Sequence, residues 1–523
     1  MLQILNTQSR RKEEFKPLDP AGRIVTMYTC GLTVYDSLHL GHARYAITSD
    51  IVRRYFEYRG YEVHYVTNFT DIDDKIIKRA IAEKRDWREI TATYIDEFHR
   101  LMSALNVKPA DVYPRATHHI PEMREIVKRL LDRRHAYIAN DGDVYFDIAS
   151  FPRYGALSGR KLDEEEVGIS GRISQERLKV KRNSGDFVLW KLNRNDTGEL
   201  AAGSEIVPHW PSPWGDGRPG WHLECSAMSQ KYVGVPFDIH CGGQDLLFPH
   251  HEDEKAQTEC AYSELLGECE AVRYWIHNAF VNVKARPNDQ DQNISSELID
   301  SQTGGLKMSK SLGNVKWLRE IIWPEGPCDP MAVRMMLLGS HYRSPIIFEP
   351  AMLDEAVAKL DRIYNTLEAL ERALQHPKRT AATVSMPGLS FWMEVCNDFE
   401  AAMDDDFNTA GALGALFELI TRVNKALTVE GAKNPAMLTS ARYALQLMLN
   451  VLGIRPQRAK GGSEDSAKLA ELLLQIRQDA RIAKQFAISD KIRAGLNDLG
   501  YEIEDLSDGK WVVKKKSCAI NHR

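Results

Sequence analysis

Two histidines, two lysines and a scattered set of thiols, imidazoles and carboxylates are the groups of this chain best suited to chemistry. His39-Leu-Gly-His42 stands where an apolar stretch, residues 23–29, hands over to a helical pattern carrying Ala43, Ile47, Ile51 and Tyr55 at four-residue spacing. Two imidazoles flanking a glycine at a helix N-terminus can donate to phosphate oxygens, where the helix dipole already favours negative charge. Gly41 leaves room for the backbone to approach a nucleotide. Far downstream, Lys307-Met-Ser-Lys-Ser311 offers two ammonium groups and two hydroxyls. The lysines, Lys307 and Lys310, suit the neutralisation of charge growing on a leaving pyrophosphate. Each motif alone is a weak signal, since the first is short and the second reads equally as an exposed basic turn.

A metal site is the second possibility. His250 and Glu254 lie four residues apart, which puts both on one helix face within reach of one ion. Cys30 and Cys225 each fall at an expected sheet-to-helix transition. The four are far apart in sequence, so this is no zinc-finger spacing, and two inert buried thiols beside an exposed His–Glu pair explain them as well. Asp71, Asp73 and Asp74 read as a helix N-cap with acidic residues in the first turn, with a magnesium cluster as the alternative.

The elements that must position these groups follow from periodicity. Strand, helix and a second strand at residues 61–67 form a βαβ unit, which implies a parallel sheet with a right-handed crossover and a nucleotide site at the strand ends. Residues 1–135 read as the first half of a Rossmann-type, doubly wound α/β domain, and 136–204 as an inserted α+β connective domain. Residues 205–284 return to the sheet, and 285–350 hold a polar loop (285–305) and the lysine motif. Residues 351–456 carry helical stripes such as Leu353, Leu360 and Leu367 and read as an α-helical bundle. After a Gly-Gly-Ser break, 465–523 form a small mixed α/β domain with a basic end, Lys510, Lys514, Lys515, Lys516 and Arg523.

Composition excludes several classes. A chain of 523 residues is too long for one core. A net charge of -5 argues against indiscriminate nucleic-acid binding, although a local basic patch fits inside an acidic total. No apolar run reaches membrane-span length, and the first residues do not read as a secretory signal. Eight thinly scattered cysteines make a disulfide framework improbable, and a cytoplasmic location is expected.

Taken together and in order, the His39–His42 and Lys307–Ser311 motifs around a βαβ unit resemble the paired nucleotide signatures of class I aminoacyl-tRNA synthetases. Cys30-Gly-Leu-Thr-Val-Tyr-Asp, Thr70-Asp-Ile-Asp-Asp-Lys, Gly220-Trp-His-Leu-Glu-Cys-Ser-Ala-Met, Phe248-Pro-His-His-Glu and Lys307-Met-Ser-Lys-Ser-Leu-Gly-Asn narrow the likeness to the cysteinyl-tRNA synthetase family. Asp405-Asp-Phe-Asn-Thr409 and residues 486–493 extend it over nearly the whole chain. The resemblance implies one zinc ion on Cys30, Cys225, His250 and Glu254 that captures the substrate thiolate. It implies an amino-acid pocket lined by Thr70, Trp221, His240 and Asp245, and ATP, brought with Mg2+, acted on by His39, Gly41, His42 and Lys310, with Lys307 beside them. L-cysteine and tRNA(Cys) are the implied partners, the terminal domain reads the anticodon, and a monomer is expected. Four departures stand out: Leu32 replaces a usual proline, Leu40 an isoleucine and Cys241 a glycine, and the loop 285–305 is long.

Zinc explains how such a pocket tells cysteine from serine, which is nearly isosteric. Packing alone yields roughly 1–3 kcal/mol for so small a change. A thiol ionises near pH ~8.5 and coordination deprotonates it at neutral pH, whereas a serine hydroxyl is a harder and poorer ligand. No insertion is large enough to be an editing domain. Two rivals remain: a cysteine ligase acting on an amino sugar in mycothiol synthesis, which resembles only the front of the chain, and a non-catalytic tRNA-binding or cysteine-sensing paralogue.

Overall fold

The computed structural model describes residues 1–160, 180–194, 207–284, 299–300, 302–308, 312–322, 324, 326–375, 387–428, 435–457, 472–477, 479–481, 485–498, 501–505 and 511–515. Lys310 therefore lies outside the described residues, as do most of the loop 285–305 and Lys510, Lys516 and Arg523.

Four strands form the central sheet: β1 (Ile24–Thr33), β2 (Glu62–Thr70), β3 (Phe237–Gly243) and β4 (Val272–Asn278). Their order is β4-β3-β1-β2 and every pairing is parallel. Side chains alternate across β1: Val25 and Met27 enter the core that holds Ile47, Ile51 and Tyr55 of α1 (Leu40–Tyr58). Tyr28 and Cys30 enter the opposite core, with Leu223 and Cys225 of α2 (Trp221–Val233). Both faces are thus covered by helices, which is the doubly wound arrangement expected of a buried parallel sheet.

The insert is a four-stranded antiparallel sheet of Ala136–Ile138, Val144–Phe146, Phe187–Leu192 and Gly217–Pro219. Its last strand corrects the expected boundary at residue 204: the chain leaves the insert at Pro219 and enters α2 directly. After β4, Val281–Val283 pairs antiparallel with Leu306–Lys307 and parallel with Ile346–Phe348. Among the described residues the bundle has four helices, Ala351–Gln375, Pro387–Asp404, Thr409–Thr428 and Pro435–Leu452. Its apolar stripes share one continuous core with α1. At the end of the chain, the helix Phe486–Asp498 precedes a hairpin of Tyr501–Asp505 and Trp511–Lys515.

Six cysteines are free thiols. Cys328 is disulfide-bonded, so among the described residues one cysteine departs from the expected free thiols. Among the described residues no helix is long and apolar enough to cross a membrane.

Candidate active site

Cys30 owes its position to an irregularity in β1. The pairing with β2 shifts register between Thr29 and Leu32, across the intervening Cys30 and Gly31. A Cβ on Gly31 would sit 1.5 Å from the Asn68 carbonyl oxygen, so only glycine allows the two strands to meet there. The Asn68 side chain then accepts from the Gly31 N–H at 2.8 Å and lies 3.6 Å from the Cys225 sulfur.

Cys225 is one turn inside α2, later than the expected sheet-to-helix transition. His250 sits on the turn Leu247–His251 and Glu254 in the first turn of α3 (Glu252–Ala261). Their ligand atoms, with those of Cys30 and Cys225, all lie within 4.8 Å of one another, and all four residues are buried. Cys30 Sγ donates to Glu254 Oε1 at 3.0 Å, and His250 Nε2 is 2.9 Å from the same oxygen. A second grouping, Cys30, His240, His251 and Glu254, shares two members with the first. Within that second grouping, His251 Nε2 is buried without a hydrogen-bond partner. The first grouping gathers both thiols and is the better match to a soft divalent ion.

Electrostatics favour the ligating forms of half the set. Burial pushes Glu254 up, but the His250 and His240 imidazoles outweigh it and hold the carboxyl well below its usual range. Burial also opposes ionisation of Cys225, yet the Cys30 thiol and His250 bring it down to about 7. Burial and the neighbouring Cys225 push Cys30 well up. Burial lowers His250, and Glu254 more than reverses this, to about 10. Loading a cation would release the protons that Cys30 and His250 hold.

Two of the implied amino-acid residues, His240 and Trp221, lie against this cluster. His240 Nε2 is 3.0 Å from Glu254 Oε2 and 3.9 Å from Cys30 Sγ. Trp221 stacks on His250 with ring centroids 4.1 Å apart. Thr70 ends β2 and is buried, whereas Asp245 lies exposed on the turn after β3. Cys241 is turned away, because it shares the face of Ile239 and packs in the α1 core.

The nucleotide motif is a self-capped helix start. His39 Nδ1 accepts from the Gly41 N–H at 3.1 Å and His42 Nδ1 from the His39 N–H at 3.2 Å. A ring whose Nδ1 accepts carries its proton on Nε2 and is a donor there. The rings stack at 3.7 Å, and a Cβ on Gly41 would lie 2.9 Å from the His39 ring, which a side chain would displace. The same point is 3.8 Å from Met308 Cε, so the lysine motif reaches the histidine turn. From the other side, the Leu318 N–H donates to Leu38 O at 2.7 Å and the Leu40 N–H to Lys316 O at 3.1 Å.

The acidic run is structural. Asp71 accepts from Thr117, Asp73 caps its helix through the Lys75 N–H, and Asp74 pairs with Arg218. Sequence reasoning missed Asn68 and also His222, whose Nδ1 lies 2.8 Å from His250 Nδ1 and whose Nε2 lies 3.2 Å from Asp253. His222 stands inside a quoted motif and Asn68 two residues before one, but only the fold gives them a partner.

A family model described as the tRNA synthetases class I (C) catalytic domain matches residues 15–358, and one described as a DALR domain matches residues 398–456. The cysteine–tRNA ligase of Shewanella sp. (strain MR-4) is 41% identical over 520 residues, covering 98% of this chain and 100% of its own. That of Desulforudis audaxviator (strain MP104C) is 42% identical over 522 residues, covering 98% and 99%. Among solved structures, methionyl-tRNA synthetase of Mycobacterium tuberculosis with methionyl-adenylate aligns at TM-score 0.53 and 16% identity, covering 86% of this chain and 94% of its own. The leucyl synthetase in a ternary complex from Agrobacterium radiobacter K84 aligns at TM-score 0.57 and 12% identity, covering 84% and 85%, a likeness of fold. The chain belongs to the cysteine–tRNA ligase family of class I aminoacyl-tRNA synthetases.

Proposed function

We propose that this enzyme joins L-cysteine to tRNA(Cys) at the expense of ATP, by way of cysteinyl-adenylate, and that a zinc ion selects the cysteine. The observation that carries this reading is the buried quartet of two thiols, an imidazole and a carboxylate, one of whose thiols, Cys30, lies on the strand that also feeds the His39–His42 turn. A zinc ion held by Cys30, Cys225, His250 and Glu254 would supply a soft partner for the substrate thiolate.

The chain's own residues do the rest. His39 and His42, as Nε2–H donors at a helix N-terminus, hold the ATP phosphates. Gly41 keeps the turn open for the nucleotide. Lys307 and Lys310 meet the charge that develops on pyrophosphate as the cysteine carboxylate attacks the α-phosphorus. Thr70, Trp221, His240 and Asp245 hold the amino acid, with Asp245 available to the ammonium group. Asp71, Asp73 and Asp74 are committed to structure, so Mg2+ arrives with ATP. The ribose hydroxyl of the tRNA end then takes the cysteinyl group, positioned and not covalently bound by the protein. The bundle and the terminal domain contact the tRNA, the latter at the anticodon. One chain carries both the quartet and the histidine turn, which supports a monomer.

Cysteine-dependent ATP–pyrophosphate exchange tests the reading, and absence of exchange in the zinc-loaded protein refutes it. Charging of tRNA(Cys), with none of an amino sugar, completes it. His42→Ala should lower the exchange kcat about 10²-fold, the usual cost of one transition-state donor, with the cysteine KM nearly unchanged.

A further inference from the structure

Phe280 lies between β4 and the strand Val281–Val283, outside every motif singled out above. Its carbonyl is held from two sides: Arg44 Nη1 donates to it at 2.7 Å and the Ile346 N–H at 3.0 Å. Arg44 is two residues past His42 and is 2% exposed. Its other nitrogen donates to the carbonyls of His341 and Ser344, so all three acceptors are main-chain oxygens. The first turn of the histidine helix thereby fixes where Phe280 stands.

Against the ring lies Lys307, with Nζ 4.8 Å from the centroid. The main chain of Lys307 is also tied down. It pairs with Asn282, and the Asn314 amide donates to its carbonyl at 3.2 Å. The backbone of Lys307 thus belongs to a sheet and its ammonium rests on an aromatic face.

We propose that Phe280 is a positioning residue for Lys307, holding the ammonium by cation–π attraction at a place that Arg44 fixes relative to the His39–His42 turn. A cation within about 6 Å of a ring face is attracted by its quadrupole. The lysine stem has large rotamer freedom, and a charge that serves a transition state acts best when placed beforehand. A carboxylate would also restrain the ammonium, but it would cancel the charge the phosphates need. A ring restrains it and leaves the charge intact. The proposal rests on the reading of Lys307 as a cation directed at ATP.

The test is a fluorination ladder in the full-length, zinc-loaded enzyme, with Phe280 replaced in turn by mono-, di- and trifluorophenylalanine. These rings keep nearly the same shape while the negative face is drained stepwise. The logarithm of the exchange kcat should fall in step with fluorine number. Phe280→Leu should lose about tenfold in kcat with the cysteine KM unchanged, and Phe280→Tyr should stay within about twofold of the parent, as the size of a cation–π contact allows. Acylation of Lys307 by acetic anhydride, read by peptide mass spectrometry, should quicken along the same series. A flat exchange ladder overturns the proposal whatever the labelling shows. A parent enzyme without cysteine-dependent exchange overturns the functional reading instead, and the labelling series then decides by itself whether the ring holds the ammonium.

Discussion

Cys225→Ser is expected to remove the metal and the affinity for cysteine together. Cys225 contributes one of two sulfurs in a cluster whose ligand atoms lie within 4.8 Å of one another, and its thiol is the one poised to ionise, at about 7. A serine hydroxyl in its place stays protonated and is a hard ligand for a borderline-soft ion, leaving a three-coordinate remnant. Loss of an outer hydrogen-bonding partner of a metal ligand costs about 10–100-fold in affinity; loss of the ligand should exceed that, so zinc near one equivalent per chain should fall to near zero after dialysis. The exchange efficiency with cysteine should drop by ~10³-fold or more, because the pocket then recognises its substrate by shape alone. Two further variants grade the effect. His222→Phe removes the ring nitrogen that faces His250 and belongs in the 10–100-fold class. Cys241→Ala should leave metal content unchanged, since that thiol lies in the core on the other face of the sheet. Metal measured by atomic emission, alongside exchange kinetics, checks all three, and a Cys225→Ser protein with full metal content would refute the ligand assignment.

The contrast between Cys225 and Cys241 marks what a sequence can carry. The alternation of β1 and the four-residue spacing of α1 are local, and the structure follows both closely. The pairing of His250 with Glu254 was legible for the same reason, as a spacing on one helix face. That Cys30 and Cys225 meet them is a matter of topology, which spacing cannot express and the family likeness supplied. The insert boundary at 204 failed because Gly217–Pro219 is too short and too rich in turn residues to read as a strand, and only its partner Lys191 and neighbours identify it. The second bundle helix, Pro387–Asp404, had no stripe picked out in the sequence, although Trp392, Val395, Phe399 and Met403 are buried along it. Asn68, His222 and Phe280 act through residues 28 to 157 positions away, or through a ring contact, and neither leaves a local signature.

Arg334→Met is expected to loosen the joint between the bundle and the histidine helix, at a cost of about 3–5 kcal/mol. Arg334 and Asp50 are both fully buried, and their ion pair ties α1 to the helix Pro330–Leu338. The same guanidinium donates from Nε to Leu452 O at 2.8 Å, at the end of the last bundle helix, and from Nη1 to Leu105 O at 3.1 Å. Removing it strands both carbonyls and leaves the Asp50 carboxylate with only Arg54 Nε at 2.7 Å and the Lys108 N–H at 2.8 Å. Burial pushes Asp50 up, but Arg334 and Arg54 outweigh it and keep its pKa below the usual value. A depressed carboxylate stabilises the fold above its unfolded pKa of about 3.9 and loses that contribution as pH falls through the folded value. The deficit of the variant should therefore be constant near neutrality and narrow once the pH falls far enough to protonate the stranded carboxylate, whose pKa rises with the loss of Arg334. Denaturant unfolding at stepped pH measures it, and a midpoint shift equivalent to under about 1 kcal/mol, the scale of an exposed ion pair, would show that the joint does not depend on this pair. Adding Asp50→Leu to the variant separates the causes. If the cost is the stranded carboxylate, the double variant recovers most of it; if it is the two unpaired carbonyls, the loss persists.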